Sequence, residues 1–181
     1  LARTFQIVQP FPEMTVIENV AAAALFAGAA RGMRDARTMA LEQLAFVGLT
    51  ALAERSATTL TLAMRKRLEL AKGLAMRPRV LFLDEVNAGL NGAEMDQALV
   101  LIRSIAQRGV TILLIEHLMK VVLGVCTRLA VLHHGELIAA GAPAEVVAAI
   151  NAFRAAIDSV AGSENRASGR NAAGPTFRGV N

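Results

Sequence analysis

An apolar run that leads directly into two carboxylates is the feature that most constrains this chain. The run covers residues 80–83, and Asp84 and Glu85 follow it. A short apolar run bounded by polar residues is typical of a buried β-strand. Two carboxylates at the end of such a strand cost free energy unless a cation or solvent meets them. The pattern therefore predicts either a metal-dependent site or a strand that ends at a solvated turn.

A second apolar run has the same form. Residues 110–115 are apolar apart from Thr111, and Glu116 and His117 follow them. Ligands of open α/β sheets bind beyond the carboxyl ends of the strands, so we expect His117 to lie near a ligand. A ring N–H at this place can donate to a phosphate oxygen. The alternative is a histidine that caps the next helix.

The rest of the pattern predicts helices in the first half of the chain and alternating strands and helices in the second. Thr15, with Glu18 three residues later, has the form of a capping box, and Gly48 is a helix stop signal. The predicted helices are 16–30, 35–47, 61–76, 93–107, 117–124 and 144–157. The predicted strands are 80–84, 110–115, 128–133 and 136–140, the last two joined by a turn at His134-Gly135. This order fits an α-helical subdomain inserted into a parallel α/β core.

Composition excludes several classes of protein. The 181 residues suffice for one ordinary domain, and no apolar run reaches the length of a membrane-spanning helix. The formal charge is +4, but there is no basic stripe and neither Trp nor Tyr, so we predict no nucleic-acid partner. Residues 162–181 are rich in Gly, Ser, Asn, Ala and Arg without periodicity, and we predict that they are disordered.

In their order and spacing, four segments resemble the ATP-binding subunit of an ABC transporter, of the type that serves branched-chain amino acid importers. They are ARTFQ at 2–6, FPEMTVIENV at 11–20, LTLAMRKRLELAKGL at 60–74 and LDEVNAGLN at 83–91. The resemblance implies a partial P-loop NTPase core over residues 1–161. Its Q-loop and helical subdomain would lie in 1–78, and its Walker B, D-loop and H-loop segments in 79–161.

The resemblance also implies roles for individual residues. Asp84 and Glu85 match Walker B, where the Asp holds Mg²⁺ and the Glu polarises the attacking water. His117 matches the switch histidine, which is expected to contact the γ-phosphate of ATP. Gln6 matches the Q-loop and is expected to reach the metal or the water through its amide oxygen.

The signature segment departs from the family pattern. Such proteins commonly have Leu-Ser-Gly-Gly-Gln, whereas this chain has Leu60-Thr61-Leu62-Ala63-Met64. Thr61 keeps a hydroxyl that can cap a helix, and the helix N-terminus can still face an anion. Leu62 and Ala63 lack the backbone freedom of glycine, and Met64 lacks an amide. The segment therefore either binds a nucleotide held by a second subunit or is an ordinary capped helix.

Two further segments allow more than one interpretation. At the D-loop, Asn91 stands where an aspartate is common, and its amide can hydrogen-bond across a dimer. The basic run 65–67 is interpreted as the solvated face of a helix, the alternative being a phosphate-facing patch. The apolar side chains among residues 11–30 form either core or a surface that receives a permease helix: Phe11, Met14, Val16, Ile17, Leu25 and Phe26.

As a whole, the resemblance implies ATP and Mg²⁺ as ligands, and as partners transmembrane permease subunits and a second ATP-binding subunit. The implied location is the cytoplasmic face of the inner membrane. No G-x-x-x-x-G-K-[ST] motif occurs, and the chain begins with Leu1 inside the Q-loop region. We therefore expect an incomplete chain that hydrolyses no ATP by itself, although its parent would be an ATPase. The alternatives are an importer of urea or another polar solute, and a non-catalytic remnant that acts as an interaction module.

Overall fold

A parallel sheet carries the predicted acidic strand at its centre. The computed structural model describes residues 1–3 and 10–152. The strands are β1 (Ala2–Arg3), β2 (Val80–Asp84) and β3 (Thr111–Ile115), and they lie in the order β1-β2-β3 with both pairings parallel. Parallel strands share one direction, so the carboxyl ends of β2 and β3 meet at the same edge of the sheet. Both β2 and β3 were predicted, and β3 begins at Thr111, one residue after its predicted start.

Three helices precede β2 and pack against one another. Their buried side chains, among them Ile17, Leu44 and Leu68, form one continuous apolar core with β2. This group corresponds to the predicted helical subdomain. The helices are α1 (Val16–Phe26), α2 (Met33–Val47) and α3 (Leu62–Ala75), with 3₁₀ turns at Thr50–Leu52 and Ala57–Thr59 between the last two.

The ends of these helices follow the capping signals. The Thr15 hydroxyl accepts from the Glu18 N–H (3.3 Å), and the Glu18 carboxylate accepts from the Thr15 N–H (2.8 Å), which confirms the capping box. Helix α1 ends at Phe26 instead of the predicted residue 30, because Gly28 takes a left-handed backbone (φ 68°). Gly48 ends α2 in the same way, as predicted.

The second half alternates as predicted. Helices α4 (Gly92–Gln107) and α5 (Met119–Val125) pack together, and strands β4 (Leu129–His133) and β5 (Glu136–Gly141) form an antiparallel hairpin. Positive φ angles at His134 (47°) and Gly135 (84°) confirm the predicted turn. Residues 143–152 are helical, whereas the rest of the predicted helix 144–157 and the predicted disordered segment 162–181 lie outside the described residues.

The chain divides into two units. The first, Leu1–Val125, holds the parallel sheet and helices α1 to α5, and the second, Cys126–Asn181, holds the hairpin. Over the described ranges, no helix combines the length and the apolar character that crossing a bilayer requires. The residues predicted to carry chemistry, where they are described, all lie in the first unit.

Candidate functional site

The carboxyl ends of β2 and β3 bring two of the predicted catalytic side chains together. His117 Nδ1 lies 3.4 Å from Glu85 Oε1. Asp84 pairs with Ile115 in the parallel register, and the Glu85 N–H donates to the Ile115 carbonyl at 3.0 Å. The backbone hydrogen bonds between the two strands thus extend to Glu85. The loops that follow the strands place the Glu85 and His117 side chains next to each other.

Asp84 meets a cation of the chain itself. Arg3 Nη2 donates to Asp84 Oδ2 at 3.0 Å, and the Asp84 side chain is 22% exposed. A carboxylate oxygen is a ligand that Mg²⁺ prefers. No group of three or more His, Cys, Asp or Glu side chains that could hold a metal ion occurs within residues 1–3 and 10–152. The Asp84 carboxylate fits a Mg²⁺ that takes its other ligands from phosphate oxygens and water.

The backbone of Glu85 is held from two sides. Its φ of 45° is left-handed, which costs roughly 1–2 kcal/mol for a residue other than glycine. Its carbonyl accepts from Lys66 Nζ at 3.2 Å and from the Ala88 N–H at 3.1 Å. The expectation that residues 65–67 form a solvated face is wrong for Lys66, which is 8% exposed. Burial lowers the pKa of Lys66, and the Glu116 and Glu85 carboxylates oppose that shift.

A buried amide and a carboxylate join the loops after the two strands. Glu116 Oε1 accepts from Asn87 Nδ2 at 2.8 Å and from the Asn87 N–H at 3.4 Å. Asn87 is 1% exposed. Within the described residues, Asn87 Oδ1 and Glu116 Oε2 are buried without a hydrogen-bond partner. Sequence reasoning gave neither residue a role, although Glu116 directly follows a predicted strand.

The signature segment begins α3 and touches the turn after Glu85. Thr61 Oγ1 accepts from the Met64 N–H at 3.4 Å, so Thr61 caps the helix as predicted. Leu62 packs against Gly89, where a Cβ atom would lie 2.9 Å from Leu62 Cδ2. Ala63 and Met64 are half-buried. The start of α3 therefore lies next to the turn that follows Glu85, and its first side chains are apolar.

The remaining predicted residues lie elsewhere or have other contacts. Asn91 caps α4: its Oδ1 accepts from the Glu94 N–H, and its N–H donates to Glu94 Oε2, both at 3.0 Å. Arg65 donates to the carbonyls of Leu60 and Thr58, so it braces the segment before α3. Gln6 lies outside the described residues.

Helix α1 lines a surface cavity of about 590 Å³, here called the α1 groove. Of the apolar residues in 11–30, Val16 and Ile17 are fully buried, as the core interpretation predicts, whereas Phe26 is 89% exposed. The permease interpretation stays a prediction. The groove is mainly apolar, and three charged residues are among those that line it. It is lined by Glu13, Met14, Ile17, Glu18, Ala21, Ala22, Leu25, Phe26, Met33 and Arg37.

Comparison with known proteins finds a family and relatives that this chain is similar to. The family described as ABC transporter matches residues 1–88. The high-affinity branched-chain amino acid transport ATP-binding protein BraF of Pseudomonas aeruginosa is 39% identical over 160 residues, which cover 81% of this chain and 63% of BraF. The chain therefore spans less than two thirds of the length of that curated relative.

Two solved structures share the fold. A nucleotide-free ATP-binding cassette from an ABC transporter superposes with a TM-score of 0.69 at 26% identity, covering 81% of this chain and 64% of that one. The ATP-binding cassette MJ0796, in a dimeric post-hydrolysis state bound to ADP and Pi, gives a TM-score of 0.68 at 23% identity, covering 78% and 62%. The predicted fold class, an α/β fold with a partial P-loop NTPase core of parallel strands and an inserted α-helical subdomain, is confirmed.

Proposed function

We propose that this chain belongs to the ABC transporter family, whose model matches residues 1–88, and that it forms part of an ATP-hydrolysing subunit of an importer for branched-chain amino acids. One observation carries the proposal: the Glu85 carboxylate and the His117 imidazole lie 3.4 Å apart, next to Asp84, at the ends of two parallel strands. The proposed cargo follows the name of the relative BraF. The residues of this chain do not decide the cargo, because other subunits select it.

In this proposal each side chain has one task. Asp84 would hold the Mg²⁺ of MgATP, and Mg²⁺ bound there would neutralise charge that develops on the phosphate oxygens. Glu85 accepts a hydrogen bond from the attacking water and orients it. His117 donates a ring N–H toward the γ-phosphate. The 3.4 Å separation places the two groups beside one site, where Glu85 could orient a water and His117 could contact the phosphate, and such positioning is the main contribution of a protein to phosphoryl transfer.

The start of α3 serves a second subunit in the same proposal. The 14-residue helix α3 presents its N-terminal amides, and such amides favour anions. Thr61 already accepts from one of them, so only the others are left for a phosphate. Met64 and Leu62 offer no polar side-chain atom. We expect the segment to contact nucleotide through its backbone when two subunits close on ATP.

The α1 groove is the surface proposed for the permease at the cytoplasmic face of the membrane. Exposed Phe26 and Met33 cost free energy in water and gain it by burial against an apolar helix. Glu13, Glu18 and Arg37, which also line the groove, would provide polar contacts that fix the orientation of that helix.

The test is a chimera that joins the P-loop segment of BraF ahead of Leu1, because residues 1–181 contain no such motif. The proposal predicts Mg²⁺-dependent ATP hydrolysis by the chimera and loss of Mg²⁺-dependent nucleotide binding in Asp84→Asn. A chimera that folds cooperatively but does not hydrolyse ATP contradicts the proposal. That result would favour a non-catalytic interaction module.

A further inference from the structure

Three buried or half-buried polar residues contact the loops that carry Glu85 and His117. They are Lys66, Asn87 and Glu116, here called the polar clamp. Lys66 comes from α3, Asn87 follows Glu85 by two residues, and Glu116 directly precedes His117. From the sequence, Asn87 and Glu116 had no assigned role, and Lys66 was interpreted as part of a solvated face, the alternative being a phosphate-facing patch.

Lys66 fixes the backbone on the Glu85 side. Its ammonium donates to the Glu85 carbonyl at 3.2 Å although the residue is only 8% exposed. Burying an ammonium is costly, and the neighbouring Leu70, at an equivalent position one helical turn later, shows that an apolar side chain suits this face. The hydrogen bond from Lys66 thus helps to offset the free-energy cost of the left-handed Glu85 backbone. Burying the ammonium that makes this bond itself costs free energy.

Glu116 fixes the loop on the His117 side. Its Oε1 accepts two hydrogen bonds from Asn87, one from the side chain and one from the backbone. Because Asn87 belongs to the turn after Glu85, these bonds tie the loop after β3 to the loop after β2. A charge-assisted hydrogen bond of this kind is stronger than a neutral one, so the tie restricts both loops.

We propose that Lys66 and Glu116 are positioning residues that set the distance between the Glu85 carboxylate and the His117 imidazole. The proposal rests on the proposed function for the tasks of those two groups. The positioning itself requires no nucleotide and can be tested on the 181-residue chain.

The test uses the ¹⁵N chemical shift of the His117 ring as a reporter of Glu85. Glu85→Gln removes the facing charge and should move the His117 signal. In a Lys66→Met or Glu116→Ala background, the same Glu85→Gln change should no longer move it. A full shift in both backgrounds would overturn the proposal.

Conservative variants separate positioning from general stability. Lys66→Arg keeps a cation and Glu116→Gln keeps an acceptor oxygen, so both should retain the shift caused by Glu85→Gln. If both lose it while their amide spectra stay folded, the proposed contacts are not what holds the pair.

If the variants do not fold, a measurement on the unaltered chain still tests the polar clamp. The Asn87 side-chain amide should exchange its hydrogens far more slowly than that of the exposed Asn91. Equal exchange rates would contradict the clamp. An inactive chimera, by contrast, would overturn the proposed function and leave these spectroscopic results unchanged.

Discussion

Arg3 and Asp84 form an ion pair between neighbouring strands, with Arg3 Nη2 3.0 Å from Asp84 Oδ2. The parallel register sets Arg3 opposite Phe82, two residues before Asp84, so the long side chain reaches along the sheet to its carboxyl edge. A cation of the chain thus occupies an oxygen of the carboxylate proposed to hold Mg²⁺. Arginine and metal would compete for that oxygen.

Replacing Arg3 by Met should therefore strengthen Mg²⁺ binding by the chimera. Arg3 is 58% exposed, and exposed ion pairs contribute about 0.2–1 kcal/mol, so we expect the Mg²⁺ concentration at half-saturation of nucleotide binding to fall roughly two- to fivefold. Arg79→Met, which removes an exposed arginine just before β2, is the matched control. An unchanged Mg²⁺ requirement in Arg3→Met would mean that the pair does not compete with the metal.

Gly89→Ala should destabilise the chain by about 1–3 kcal/mol. The backbone at Gly89 is left-handed (φ 77°), and a Cβ there would lie 2.9 Å from Leu62 Cδ2. Urea unfolding gives the free-energy difference. Gly92→Ala is the control, since nothing lies within 4 Å of its Cβ, and it should be neutral or slightly stabilising. Equal effects at both positions would show that Leu62 does not pack on the turn.

Stability should depend on pH through Lys66. Burial lowers its pKa in the folded state from the ordinary 10.5, despite the opposing Glu116 and Glu85 carboxylates, and Glu94 lines the same small cavity. Between the lowered value and 10.5 the unfolded chain binds more protons, so this residue makes the folded state more stable as pH rises. Below the lowered value, the cost of burying the ammonium is fully present.

The free energy of unfolding of the unaltered chain minus that of Lys66→Met should accordingly rise from neutral pH toward pH 10.5. Urea unfolding at a series of pH values measures it. Lys120→Met, at a side chain 62% exposed, controls for the general loss of one ammonium. A difference that falls with pH would contradict the burial of Lys66.

The α1 groove should crosslink to the permease. Cysteines placed at Met14 or Glu18 of the chimera, assembled with the permease of the BraF transporter, should form disulfides with permease cysteines under mild oxidation. Gln107→Cys, on the exposed end of α4, is the control position. Crosslinking at residue 107 without crosslinking at 14 or 18 would show that another surface docks.

The sequence predicted the elements better than the contacts of the site. Apolar runs and caps located β2, β3 and the helix starts, because those signals are local. Lys66 was misplaced because its neighbours Arg65 and Arg67 suggested a solvated face. Spacing along α3 contains the missing signal, since Lys66, Leu70 and Gly73 share one buried face. The Arg3–Asp84 and Asn87–Glu116 pairs join residues distant in the chain, and no local pattern encodes them.

The most direct test of the central claim is Glu85→Gln in the chimera. Glutamine keeps the shape of the side chain but loses the charge that orients and polarises the attacking water, whereas Asp84 is left to hold the metal. Nucleotide affinity should change little, turnover should fall roughly 10²–10⁴-fold, and bound ATP should hold two subunits together. The rate of single-turnover ATP hydrolysis and the nucleotide affinity should both be measured on the chimera with and without Glu85→Gln. Hydrolysis at the unaltered rate would show that Glu85 is not the catalytic carboxylate.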